Sequence, residues 1–185
     1  VKMLCLTHGH VWTLEEAPGD LAILRGAELA SAVDVLGPNT TSRKMAGHPD
    51  GALGNLSQST LATEVVAAAD SCHPDGLLVF DVPVVTGHLE HLAATAAGLR
   101  AAETLDLPVL GWTLSKTATA HLKREFGTGF TAHPQGQVDL RVTLERARLR
   151  LASRAAARQA VPGTVPVTRP GMLPDTWRRR GRRPP

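Results

Sequence analysis

Three short apolar runs punctuate this sequence, VKMLCL (1–6), GLLVFDV (76–82) and LPVLGW (107–112), and each gives way to a segment with apolar residues at helical spacing. An unbroken apolar run bounded by turn residues marks a strand covered on both faces, and alternating strands and helices build βαβ units around a parallel sheet. A three-layer α/β domain with a mainly parallel sheet is therefore expected. At 185 residues with 43% hydrophobic content, the chain can bury one sizeable core and is expected to form one domain.

Periodicity places the helices. Asp20 can cap a helix over about 21–36, where Leu29, Ala32, Val33 and Leu36 share a face and Gly37-Pro38 ends it. A second helix is expected over about 59–72, with Leu61, Val65, Ala68 and Cys72 along one side and His73-Pro74 after it. A third spans about 88–105 with Leu92, Ala96 and Leu99 facing inward, and a fourth covers about 116–126 up to Gly127. QVDLRVT (137–143) then leads into a last helix over about 144–160.

The charge is unevenly divided. Residues 169–185 hold six Arg and one Asp, so against the chain's total of +3 the preceding residues sum to −2. The Pro, Gly and Arg content there, with almost no apolar periodicity, predicts a folded domain over 1–160 followed by a disordered tail over 161–185. No nucleic-acid partner is expected. Arg146, Arg150, Arg154 and Arg158 recur every four residues and read as a solvated helix face. Cys5 and Cys72 are far apart and in no CxxC pattern, which fits a reducing cytoplasm. Neither a signal peptide nor an 18-residue apolar run is present, so a membrane span is not expected. The sequence is silent on oligomeric state.

Functional groups of an α/β sheet collect just beyond the carboxyl ends of its strands. Two histidine-bearing loops stand there, THGH (7–10) and TGHLEH (86–91). In the second, His88, Glu90 and His91 fall at the start of a helix, whose first turn has free backbone N–H groups. Such a triplet fits a solvated helix start as well as a cleft site. Nucleotide binding has no support, because neither G-x-G-x-x-G nor G-x-x-x-x-G-K-[ST] follows any expected strand. GHPDG (47–51) and CHPDG (72–76) offer His and Asp twice, yet Pro fixes φ and Gly permits a tight turn, so both read as connections rather than metal sites. His48, His73, His121 and His133 have no partner at useful spacing and are expected on the surface or in turns.

TGHLEHLAAT (86–95) resembles the TGHPDHxAAT segment of the LmbE-like, or PIG-L, family of zinc-dependent N-deacetylases. LCLTHGH, LRGAELASAVDVLG (24–37), HPDGLLVFDVPVVTGH and LPVLGWTL are similar to further segments of that family in the same order, covering about residues 1–150. The resemblance implies a Rossmann-like fold and hydrolysis of the N-acetyl amide of a GlcNAc-type sugar conjugate. It implies Zn2+ as cofactor with His91 as a metal ligand, and His88 beside the carbonyl, stabilising the oxyanion or protonating the departing amine. Glu90, in place of the usual Asp, is expected to orient a histidine, and Arg25 to contact substrate. Arg25 read on its own is equally an i, i+3 partner of Glu28 on a helix surface. His8 and His10 are loop residues.

The family's His-Pro-Asp-Asp loop precedes the helix that resembles residues 24–37, whereas both HPDG copies follow it and carry Gly51 and Gly76 at the ligand position. That loop, with its strand and helix, would lie before Val1. The chain as given is accordingly expected to lack part of the metal site, and a catalytically inactive sugar-binding or interaction module is the alternative.

Overall fold

The computed structural model describes residues 1–8, 21–36, 42–82, 86–141 and 176–180, together with 145, 147, 151 and 152. The described chain divides into two compact units, one holding residues 1–51 and the other built mainly from 52–143 with 171–185.

In the first unit, β1 (Lys2–Thr7) pairs in parallel with β2 (Ser42–His48), in a register running from Lys2↔Ser42 to Thr7↔His48. Helix α1 (Leu21–Leu36) makes the crossover. It buries Val33, as its periodicity predicts, but also Arg25 and Glu28. β2, with Arg43 and Lys44 in its middle, has no apolar run and escapes periodicity analysis. Of GHPDG, Gly47 and His48 end β2, and Asp50-Gly51 make the expected turn, with Gly51 at φ +81.

The second unit begins with a short 3-10 turn, Leu53–Asn55, and α2 (Gln58–Asp70), whose Ser57 N-cap accepts from the Thr60 N–H at 3.1 Å. α2 buries Leu61, Ala62, Ala68 and Ala69, and CHPDG connects it to β3 (Leu77–Phe80) with His73 in the left-handed region at φ 45. Helix α3 (Leu89–Leu105) crosses over to β4 (Val109–Thr113), which pairs in parallel with β3 from Leu77↔Val109 to Phe80↔Trp112. Ser115 caps α4 (Lys116–Phe126), and Gly127 closes it at φ 65. Leu114, Ala118 and Leu122 form a small core there, with Trp112, Phe126 and Phe130 packed against it.

The inward face of α3 differs from expectation. Leu92 is 39% exposed and Ala96 is exposed, while Ala93, Ala97, Gly98, Ala101 and Ala102 are buried. Close approach is the cause: a Cβ on Gly98 would lie 2.7 Å from Cγ1 of Val79 in β3, so no side chain fits where the helix crosses that strand.

Beyond β4 the sheet turns antiparallel. β6 (Thr176–Arg180) pairs with β4, from Val109↔Arg180 to Thr113↔Thr176, and with the two-residue β5 (Leu140–Arg141) on its other side. Of the 161–185 segment expected to be disordered, these five residues are described and the others lie outside the described residues. Ladder pairing uses main-chain groups, on which composition is silent. The last expected helix and its arginine stripe fall mostly outside the described residues.

Candidate active site

The carboxyl end of β3 carries the site. Phe80 closes the strand, and its ring stacks on the His91 imidazole with centroids 4.3 Å apart and planes 13° from parallel. Trp112, at the matching position of β4, meets Phe80 edge-on at 5.2 Å. The parallel register thus sets Trp112 of the neighbouring strand against the ring that His91 stacks on.

The turn before α3 sets the other groups. His88 is the N-cap: its backbone is extended (φ −72, ψ 129), and its Nδ1 accepts from the Glu90 N–H at 3.3 Å. The imidazole must be unprotonated at Nδ1 to do this, which puts the proton of the neutral ring on Nε2. Thr86 Oγ1 lies 2.7 Å from His91 Nδ1 and accepts from the His88 N–H at 3.4 Å. One hydroxyl therefore aligns both histidines. Their rings stand 5.1 Å apart, tilted by 42°.

Burial holds the His91 pKa below its ordinary value, and the nearby His88 charge pushes it in the same direction. A neutral imidazole is thereby favoured, with Nε2 left for another partner once Nδ1 is engaged by Thr86. Glu90 is buried at 8% exposure, and its Oε1 accepts from the Leu53 N–H of the 3-10 turn at 3.5 Å. Residue 90 reaches His88 through its main-chain N–H.

His88, Glu90 and His91 are thus brought together as the sequence suggests. Arg25 belongs to the other unit, where its guanidinium meets Glu28 at 3.1 Å. The i, i+3 pairing is present but buried, at 4% and 8% exposure, rather than on a helix surface. His8 also lies in that unit, close to Gly47, and His10 is outside the described residues.

A catalytic zinc takes about three protein ligands and a water. Among the described residues no group of three or more His, Cys, Asp or Glu side chains is gathered to hold a metal. His91 offers a suitable donor, but the described residues do not build a zinc site by themselves.

Sequence reasoning missed one pair. Asp81, directly after Phe80 and 2% exposed, brings its carboxylate against His133 Nε2. A carboxylate ending an apolar strand was the only visible sign, since His133 lies far along the chain with no spacing relation to it. His121 is likewise partnered, with Glu125 one turn on at 3.6 Å.

No protein-family model and no curated protein matches the sequence. Solved structures do match. A deacetylase in complex with teicoplanin, from the teicoplanin biosynthetic pathway, superposes with a TM-score of 0.58 at 13% identity, over 96% of this chain and 85% of that one. The deacetylase of an antimicrobial pseudoaglycone gives 0.56 at 15% identity, over 85% of this chain and 68% of that one. The zinc-inhibited form of a teicoplanin deacetylase gives 0.55 at 16% identity, over 85% and 71%. The likeness is one of fold. The chain has the mixed α/β, Rossmann-like architecture of these deacetylases, as its strand and helix alternation predicts. Among the described residues no helix is long and apolar enough to cross a membrane.

Proposed function

We propose that this protein belongs to the chemistry of N-acyl sugar hydrolysis, removing the acetyl group from a GlcNAc-type conjugate. The observation that carries this reading is the pair of imidazoles, His88 and His91, aligned by Thr86 at the carboxyl end of a strand. His88, with Nδ1 engaged by the Glu90 N–H, turns an Nε2–H donor toward the substrate. That proton can stabilise charge on the amide oxygen as it becomes tetrahedral, then pass to the departing amine. Glu90 fixes the helix start on which His88 sits. Arg25, buried against Glu28 in the other unit, is given no part in this chemistry. Zinc would polarise the acyl carbonyl and activate water, and His91 is the ligand this chain would offer it. Fold likeness to a deacetylase crystallised with teicoplanin supports a glycoconjugate as the substrate class.

The test is release of free amine from N-acetylglucosaminyl conjugates by the full chain in zinc-supplemented buffer. His88→Asn, which keeps a capping acceptor, is expected to lower the rate by about 10²–10⁴-fold. A wild-type chain that releases no amine would overturn the hydrolase reading. The second reading, a sugar-binding module, is favoured by a donor set that stops short of three ligands among the described residues. Saturable binding of the conjugate without amine release would establish it.

A further inference from the structure

The carboxyl end of β3 is tied by one side-chain pair to the segment that follows α4. Asp81 sits at this strand end, its N–H donating to the Trp112 carbonyl at 2.9 Å and its side chain 2% exposed. Its carboxylate lies so close over β4 that a Cβ on Gly111 would stand 2.9 Å from Oδ1. His133, in the segment that follows α4, brings Nε2 against this carboxylate. Its other ring nitrogen lies 3.4 Å from Gln137 Oε1, and Gln137 belongs to a 3-10 turn closed by its own N–H on the Pro134 carbonyl at 2.9 Å. The imidazole is thus held from both sides.

Asp81 is also the residue next to Phe80, whose ring is the platform for His91. Phe80 and Trp112 meet edge to face, and Trp112 packs on the Leu114, Ala118 and Leu122 cluster that Phe130 also covers. The segment carrying Phe130 and His133 therefore reaches the His91 platform by two routes, an apolar one through Trp112 and a polar one through Asp81. We propose that His133 is a positioning residue: by holding the Asp81 carboxylate it fixes the end of β3, and with it the Phe80 ring on which His91 stacks. A histidine 42 residues from His91 in sequence would then set the orientation of a site it does not enter.

The proposal rests on the hydrolase reading only for its effect on turnover, so the test reads the platform directly. A ring stacked on Phe80 has its carbon-bound protons displaced upfield by the phenyl ring current, and proton NMR of the full chain reports this for His91, assigned with a His91→Gln variant. In a His133→Ala chain that keeps its cooperative unfolding, most of that upfield displacement is expected to be lost. Asp81→Asn is expected to lose it too, and the double variant to lose no more than either single one. His133→Gln, which retains an N–H donor, is expected to restore part of it. Where His133→Ala does not fold, His133→Asn takes its place and the same outcomes apply. An unchanged His91 displacement in the folded variant would overturn the proposal and leave His133 a structural partner of Asp81 only. Failure of the wild-type chain to release amine would sink the hydrolase reading while leaving this result standing.

Discussion

At the scale of single residues, the two most consequential features are a buried ion pair and a half-buried imidazole. The Arg25–Glu28 pair is nine-tenths buried on both sides, and removing one partner of such a pair strands a charge. Arg25→Ala is expected to cost about 3–5 kcal/mol of unfolding free energy, whereas replacing both residues with Leu should come out nearly neutral or better. Urea titration of the three variants checks this, and a double replacement as damaging as the single one would contradict it. His91 gives a pH dependence. Its folded pKa lies below the ordinary 6.5, so the unfolded chain binds this proton more readily. Its contribution to stability is present above the unfolded value and falls away as the pH drops below it. The midpoint of urea unfolding should therefore decline between about pH 7.5 and pH 5.5, and less steeply in His91→Gln. Parallel slopes in the two proteins would count against the burial of His91.

At the scale of elements, packing decides against propensity in α3. Alanine is preferred to glycine in a helix by about 1 kcal/mol, yet Gly98→Ala would push a methyl group to 2.7 Å from Val79 Cγ1. Overpacking of this kind costs about 1–3 kcal/mol, so Gly98→Ala is expected to destabilise and a companion Val79→Ala to recover much of the loss. Thermal unfolding of the two variants settles the sign. The same helix marks how far the sequence could be read. Its existence and limits were legible, as were those of α4, because apolar spacing and breakers such as Gly127 act locally. Its buried side was not, because the depth at which a helix sits on a sheet is fixed by residues of another element. β2 was missed for a related reason: Arg43 and Lys44 give no apolar signal, and the strand exists through main-chain pairing with β1. In the candidate site, the neighbours His88, Glu90 and His91 could be read from one segment, while Phe80, Trp112, Asp81 and His133 converge only once β3 and β4 lie side by side.

At the scale of the whole molecule, the described strands form two separate sheets of two and four strands, and the larger depends on a distant segment. Main-chain groups along β4 and β5 are satisfied by β6, and each ladder bond contributes about 0.5–1.5 kcal/mol net. Truncation before residue 171 is expected to lower the unfolding midpoint and promote association through the bared edge of β4, measurable by size-exclusion chromatography over a range of concentrations. An unchanged midpoint and a concentration-independent elution volume would show that β6 adds nothing. A different consequence follows from the N-cap of α3, where Asn, Asp and Ser are the residues that helix starts favour. On the proposed hydrolase reading, a lineage that abandoned catalysis could let His88 drift to any of these with its helix intact, or even improved. On that reading, sequences in which the position has become a better cap and a worse acid would record, without any assay, where in its history the reaction was given up.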